Sequence, residues 1–168
     1  SRSGWVRLWP GVGAGSSPGA AAAEIGGDAR GLAFDAAERA TIDRAAGIIG
    51  RCDILVNNAG VLRGGPLAEV APEDWDLTLR INLTGYLACA QAFGAGMRAR
   101  GRGALVHVAS IAASEPQAWS GAYSPSKAAV AMLSRQLAFE WGPAGVRSNS
   151  VSPGMVRTPL SESFYHCL

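Results

Sequence analysis

No run in this chain of 168 residues comes near the roughly 20 consecutive apolar residues that a bilayer-spanning helix needs, so a transmembrane reading is excluded. The opening SRSGWVRLWPG has no apolar core of the kind a signal peptide carries, which predicts a cytoplasmic protein. Cysteine is scarce. Cys52, Cys89 and Cys167 are odd in number, show no CxxC spacing and stand near no histidine cluster, so neither a disulfide framework nor a metal site is expected. An excess of charge of one sign is lacking too. A formal net charge of +2 is small and scattered, which excludes the concentrated basic patch that nucleic acid or a membrane surface requires and leaves small molecules as the expected ligands.

What is present is 48% apolar and 17% charged sequence, the profile of a globular domain. From about Arg30 onward, short apolar runs alternate with longer segments of helical period, the pattern of a parallel sheet wrapped by helices. Strands are predicted over residues 31–34, 53–57, 104–109 and 147–151. Helices are predicted over 38–49, from Pro72 towards Met97, and over 124–141, with Pro72 and Pro125 in first turns and glycines at the ends. Residues 1–20 mix Trp5, Trp9, Pro10 and Pro18 with Gly, Ala and Ser. They are predicted to be an irregular, disordered lead-in to one domain over 21–168. Gly11, Gly13 and Gly15 invite a phosphate-loop reading, but too few residues separate them from Asp35 to hold a helix, a strand and a second helix. A flexible loop is the expectation there.

Four residues carry candidate chemistry. Tyr123 and Lys127 stand one helical turn apart on one face, an arrangement that solvated helices also show by chance. Ser110 follows a predicted buried strand at its C-terminal end, where open α/β sheets place their ligands and where a hydroxyl can reach a substrate oxygen. Asn82 interrupts an apolar helical run, which means a kink, an exposed position or a site. A predicted strand also runs straight into Asn57-Asn58-Ala59-Gly60, whose small residues permit close approach of a ligand, and the last strand empties into Ser152-Pro153-Gly154.

DILVNNAG, INLTG, Ser110, YSPSK and SVSPGMVRTPL occur in the order and at the spacings of the short-chain dehydrogenase/reductase family, which the chain resembles from Ala21 to Thr158. The resemblance implies an α/β fold, a Rossmann-type doubly wound parallel sheet, and an NAD(P)-dependent oxidoreductase acting on a small-molecule alcohol or ketone. It implies that Tyr123 exchanges the proton with the reacting oxygen and Ser110 hydrogen-bonds that oxygen. Lys127 would hold the nicotinamide ribose and favour the phenolate, and Asn82 would maintain a water chain. A free phenol titrates near ~10, so a base of this kind needs a neighbouring cation. The implied cofactor contacts are Asp35 near adenine, Asn57, Ala59 and Gly60 along the adenosine ribose, and Pro153, Gly154, Val156 and Thr158 on the nicotinamide side, together with Tyr123 and Lys127. NAD and NADP are not distinguished.

Against the family's pattern the glycine-rich turn, the first two strands and the last strand are missing. The sheet is therefore expected to be incomplete, with residues 31–34 detached from the rest and one edge of 53–57 bare. In the family the second and third predicted helices pack on a neighbouring subunit, which implies a homo-oligomer. Two rival readings follow: an inactive remnant that keeps only its association surfaces, and an epimerase or dehydratase of the extended relatives, against which NNAG and the short Ser-to-Tyr interval argue.

Overall fold

Val6, Leu8 and Trp9 suit a strand, and Val6–Pro10 forms one (β1), ending at a proline that has no N–H to donate. The computed structural model describes residues 6–10 and 18–156. After a helix over Pro18–Ile25 (α1), Arg30–Phe34 forms β2, which pairs in parallel with β1 from Val6↔Arg30 to Pro10↔Phe34. Within the segment expected to be an irregular lead-in, Val6–Pro10 is therefore a strand, held by its pairing with β2. Gly11, Gly13 and Gly15 lie outside the described residues.

Helix α2 spans Arg39–Ile49 and stops at Gly50, whose φ of 66° is open to glycine at little cost. Strands β3 (Ile54–Asn57), β4 (Gly103–Val108) and β5 (Val146–Val151) form a parallel sheet in that order, close to the predicted bounds. Between β3 and β4 runs a helical ribbon of α3 (Pro72–Leu79), a π-turn (Arg80–Thr84) and α4 (Gly85–Ala99). Helix α5 spans Tyr123–Trp141.

Pairing in register puts Leu55, Leu105 and Ser148 on one face of the three-stranded sheet, where α4 and α5 cover them. Ile54 and Val56 point the other way and are 54% and 53% exposed. Among the described residues β2 makes no ladder with β3, so the two sheets are separate; the expected detachment of residues 31–34 holds towards β3 but not towards β1, which pairs with them. What joins them is side-chain burial: Phe34 of β2 and Ile42 and Ala45 of α2 share one core with Leu55, Phe93, Met97, Leu105 and Leu137. A side chain at Gly85 would collide with the Ala36 carbonyl, so the turn that carries Asp35 rests directly on the start of α4.

Candidate functional site

In a parallel sheet all strands end on one edge, and β3, β4 and β5 deliver Asn57-Asn58-Ala59-Gly60, Ala109-Ser110 and Ser152-Pro153-Gly154 to it. The β4 and β5 ends are tied together beyond the strands: the Ala109 N–H donates to the Val151 carbonyl at 2.8 Å and the Ile111 N–H to the Pro153 carbonyl at 2.9 Å. Ser110 has extended backbone and caps the short turn Ile111–Ala113, its Oγ accepting from the Ala112 N–H at 3.1 Å. That leaves its hydroxyl proton without an acceptor among the described residues.

The start of α5 packs on that turn. Lys127 reaches back under β4, and its Nζ donates to the Val108 carbonyl at 2.7 Å, two residues before Ser110. The ammonium lies 5.6 Å from the centre of the Tyr123 ring and 5.4 Å from that of Tyr86. It is 3% exposed, and burial pulls its pKa down to about 8. No carboxylate stands within salt-bridge distance of it among the described residues, so one carbonyl and two aromatic faces hold a buried charge. Lys127 is also the only lysine of the whole chain.

Asn82 sits in the π-turn, fully buried. A π-turn is one extra residue in an α-helix, and such turns recur at functional sites because they aim a side chain that regular winding would turn away. Its Nδ2 donates to the Val61 carbonyl at 3.0 Å and to Ser126 Oγ at 3.1 Å, and its Oδ1 accepts from the Val61 N–H at 2.8 Å. The amide therefore clamps the loop after β3 to α5 one residue before Lys127. A methyl group on Gly60 would stand in ordinary contact 3.6 Å from Asn82 Oδ1 and 3.7 Å from Lys127 Nζ, so Gly60 borders both.

Other predicted contacts fall differently. Asn57 turns inward, 5% exposed, and its Nδ2 donates to the Tyr86 carbonyl at 3.0 Å and to His107 Nδ1 at 3.1 Å. Both amide protons are spent in the core, so what position 57 offers a ligand is its Oδ1 and its backbone. Asp35 Oδ1 accepts from the Ala37 N–H at 2.8 Å, folding the residue into its own turn. Pro153, Gly154 and Val156 follow β5, and Thr158 lies outside the described residues.

His107 and Tyr86 escaped the sequence reading. Both lie in apolar runs, and the signal that could have found them is the same that marked Asn82, a polar group where the period demands an apolar one. Because Asn57 Nδ2 can only donate, His107 Nδ1 accepts and its proton sits on Nε2, which is buried with no partner among the described residues. Burial drives its pKa down to about 4.

The profile of the family described as short chain dehydrogenase matches residues 14–166. The chain belongs to that family. It is 46% identical over 148 residues to the D-threitol dehydrogenase of Mycolicibacterium smegmatis, covering 84% of the chain and 57% of that protein. It is 35% identical over 147 residues to a 3-alpha-(or 20-beta)-hydroxysteroid dehydrogenase of Mycobacterium tuberculosis, covering 85% of the chain and 56% of that protein. Among solved structures, a gluconate 5-dehydrogenase from Burkholderia cenocepacia in complex with NADP and tartrate superposes with a TM-score of 0.81 at 33% identity. The match covers 85% of the chain and 58% of that structure. This short-chain dehydrogenase thus spans a little over half the length of the relatives it matches. No helix among its described residues is long and apolar enough to cross a membrane.

Proposed function

We propose that this chain carries the proton-transfer machinery of an NAD(P)-dependent oxidoreductase that interconverts a small-molecule alcohol and its carbonyl. The observation that carries the reading is the Lys127 ammonium, buried with no carboxylate in reach among the described residues, held on the Val108 carbonyl two residues from Ser110 and beside the Tyr123 ring. The ammonium stands beside the phenol that would accept a proton from an alcohol or return one to a carbonyl. Ser110, with its hydroxyl proton free, donates to the reacting oxygen.

A nicotinamide dinucleotide fits the residues present: Lys127 offers ribose hydroxyls an ammonium whose one hydrogen-bond acceptor among the described residues is the Val108 carbonyl, and Gly60 borders it. Pro153, Gly154, Val156 and Thr158 are assigned to its nicotinamide side, Ala59 and the Asn57 backbone to its adenosine ribose, and Asp35 to adenine. When bound, the cofactor supplies or accepts the hydride. Asn82 positions Val61 and Ser126, and through them the floor on which Lys127 lies. Relatives named for D-threitol, a hydroxysteroid and gluconate support a secondary alcohol as the substrate class.

Tyr123→Phe removes the exchangeable proton and keeps the ring beside Lys127. With either cofactor and a panel of polyols and cyclic alcohols, followed by nicotinamide absorbance, the variant is expected to lose turnover by at least about a thousandfold, within the usual range of acid/base effects. A rate near that of the parent chain sinks the assignment. A second reading, association without catalysis, is favoured by Met132 and Phe139 on α5, 58% and 81% exposed, which offer a homo-oligomer contact in a cytoplasmic protein. Saturable NADH or NADPH binding by fluorescence decides against it.

A further inference from the structure

We propose that Tyr86 is a positioning residue for the catalytic lysine, its ring serving as the platform that keeps the buried Lys127 ammonium charged and in place. The Tyr86 ring centre lies 5.4 Å from Lys127 Nζ, and its hydroxyl donates at 3.3 Å to the Val108 carbonyl that receives Lys127 at 2.7 Å. Both groups are thus anchored on one acceptor, with the cation over the ring's negative face. Tyr86 is itself rigid. It is 2% exposed, its backbone carbonyl is held by Asn57, and its ring stands 6.0 Å from that of His107.

The need for such a platform follows from what else faces the lysine. Its own helix presents Tyr123; α4 presents Tyr86; the π-turn, β4 and the loop after β3 present the Asn82 amide, the Val108 carbonyl and Gly60, none of them charged. Burial without a carboxylate favours the neutral amine, which would hold neither a ribose nor a phenolate. An aromatic face is the remaining source of stabilisation for the cation, and Tyr86 is fixed where Tyr123 must stay free to react.

Lys127 being the only lysine, the chain made with lysine labelled at its Cε carbon gives one carbon resonance whose pH titration reads this amine alone. Tyr86→Phe keeps the ring and is expected to move the titration by less than about 0.3 unit, whereas replacing residue 86 with progressively fluorinated phenylalanines drains the ring face at constant shape and lowers it stepwise, by about one pH unit at full fluorination. Tyr86→Leu, which removes the ring, is expected to match the fully fluorinated ring; the fluorinated series stands where that variant does not fold. A titration that ignores fluorination overturns the proposal, and so does a parent resonance that titrates as a free amine near ~10.4. The catalytic consequence rests on the proposed oxidoreductase activity, but the titration is read without substrate. A ring-dependent titration in a chain that turns over no alcohol sinks the activity and leaves the platform; turnover with a ring-independent titration does the reverse.

Discussion

Acid should weaken this protein through His107. An unfolded histidine titrates near ~6.5, whereas in the fold burial holds His107 at about 4. Between those values the unfolded chain binds a proton that the native chain refuses, so stability is whole above about pH 6.5 and falls as the pH drops towards 4. The gap of about 2.5 units, at roughly 1.4 kcal/mol each, is worth about 3.5 kcal/mol, a large share of the ~5–15 kcal/mol that a domain has in all. Urea unfolding followed by tryptophan fluorescence, repeated from about pH 7.5 down to pH 5, should show that slope before most carboxylates begin to titrate. His107→Leu removes the titrating ring. It costs stability at every pH, because an Asn57 N–H loses its acceptor, yet its stability should be flat across the window. Constant stability of the parent chain down to pH 5, or an undiminished slope in the leucine variant, refutes the reasoning.

Two further outcomes are expected. Asn82→Ala deletes three hydrogen bonds and strands the Val61 N–H and carbonyl, and should cost about 3 kcal/mol or more in urea unfolding while freeing the loop after β3 to faster amide exchange. Lys127→Met replaces a charge that burial disfavours with an apolar chain of similar length. Thermal or urea unfolding near neutral pH should then show a gain of about 2 kcal/mol, with catalysis lost. Because the native pKa lies below the unfolded one, this advantage is full below about pH 8 and vanishes as the pH rises towards ~10.4.

The sheet edge was legible because its signals are local: apolar runs of strand length ending in Asn57-Asn58 and Ser110, and helices opened by Pro72 and closed by Gly142. Of the four residues read as the catalytic set, Lys127 lies beside the Tyr123 ring and Asn82 bonds Ser126 on the same helix, while Ser110 follows the Val108 carbonyl that holds Lys127 by two residues. What the sequence could not show depends on direction. A strand residue faces in or out only once its neighbours are known, and so the two bonds that Asn57 Nδ2 donates, to the Tyr86 carbonyl and His107 Nδ1, could not be read from spacing. The winding change at Arg80–Thr84 is invisible in spacing because one inserted residue looks like a small phase error in a 3.6-residue period. Val6–Pro10 was missed because strand pairing with residues 30–34 is not a property of its own five residues.

That one inserted residue lets a single ribbon serve two partners. Regular winding from Pro72 to Ala99 would carry one stripe straight along its length, but the extra residue turns the second half by about 100° relative to the first. The first half can therefore lean on α5 while the second lies along the strands, and the hinge between them is where the buried amide emerges. Removing Arg80 or Ile81 would straighten the stripe and turn Asn82 and Tyr86 relative to α3 at once, coupling the loop clamp and the lysine platform to a single deletion.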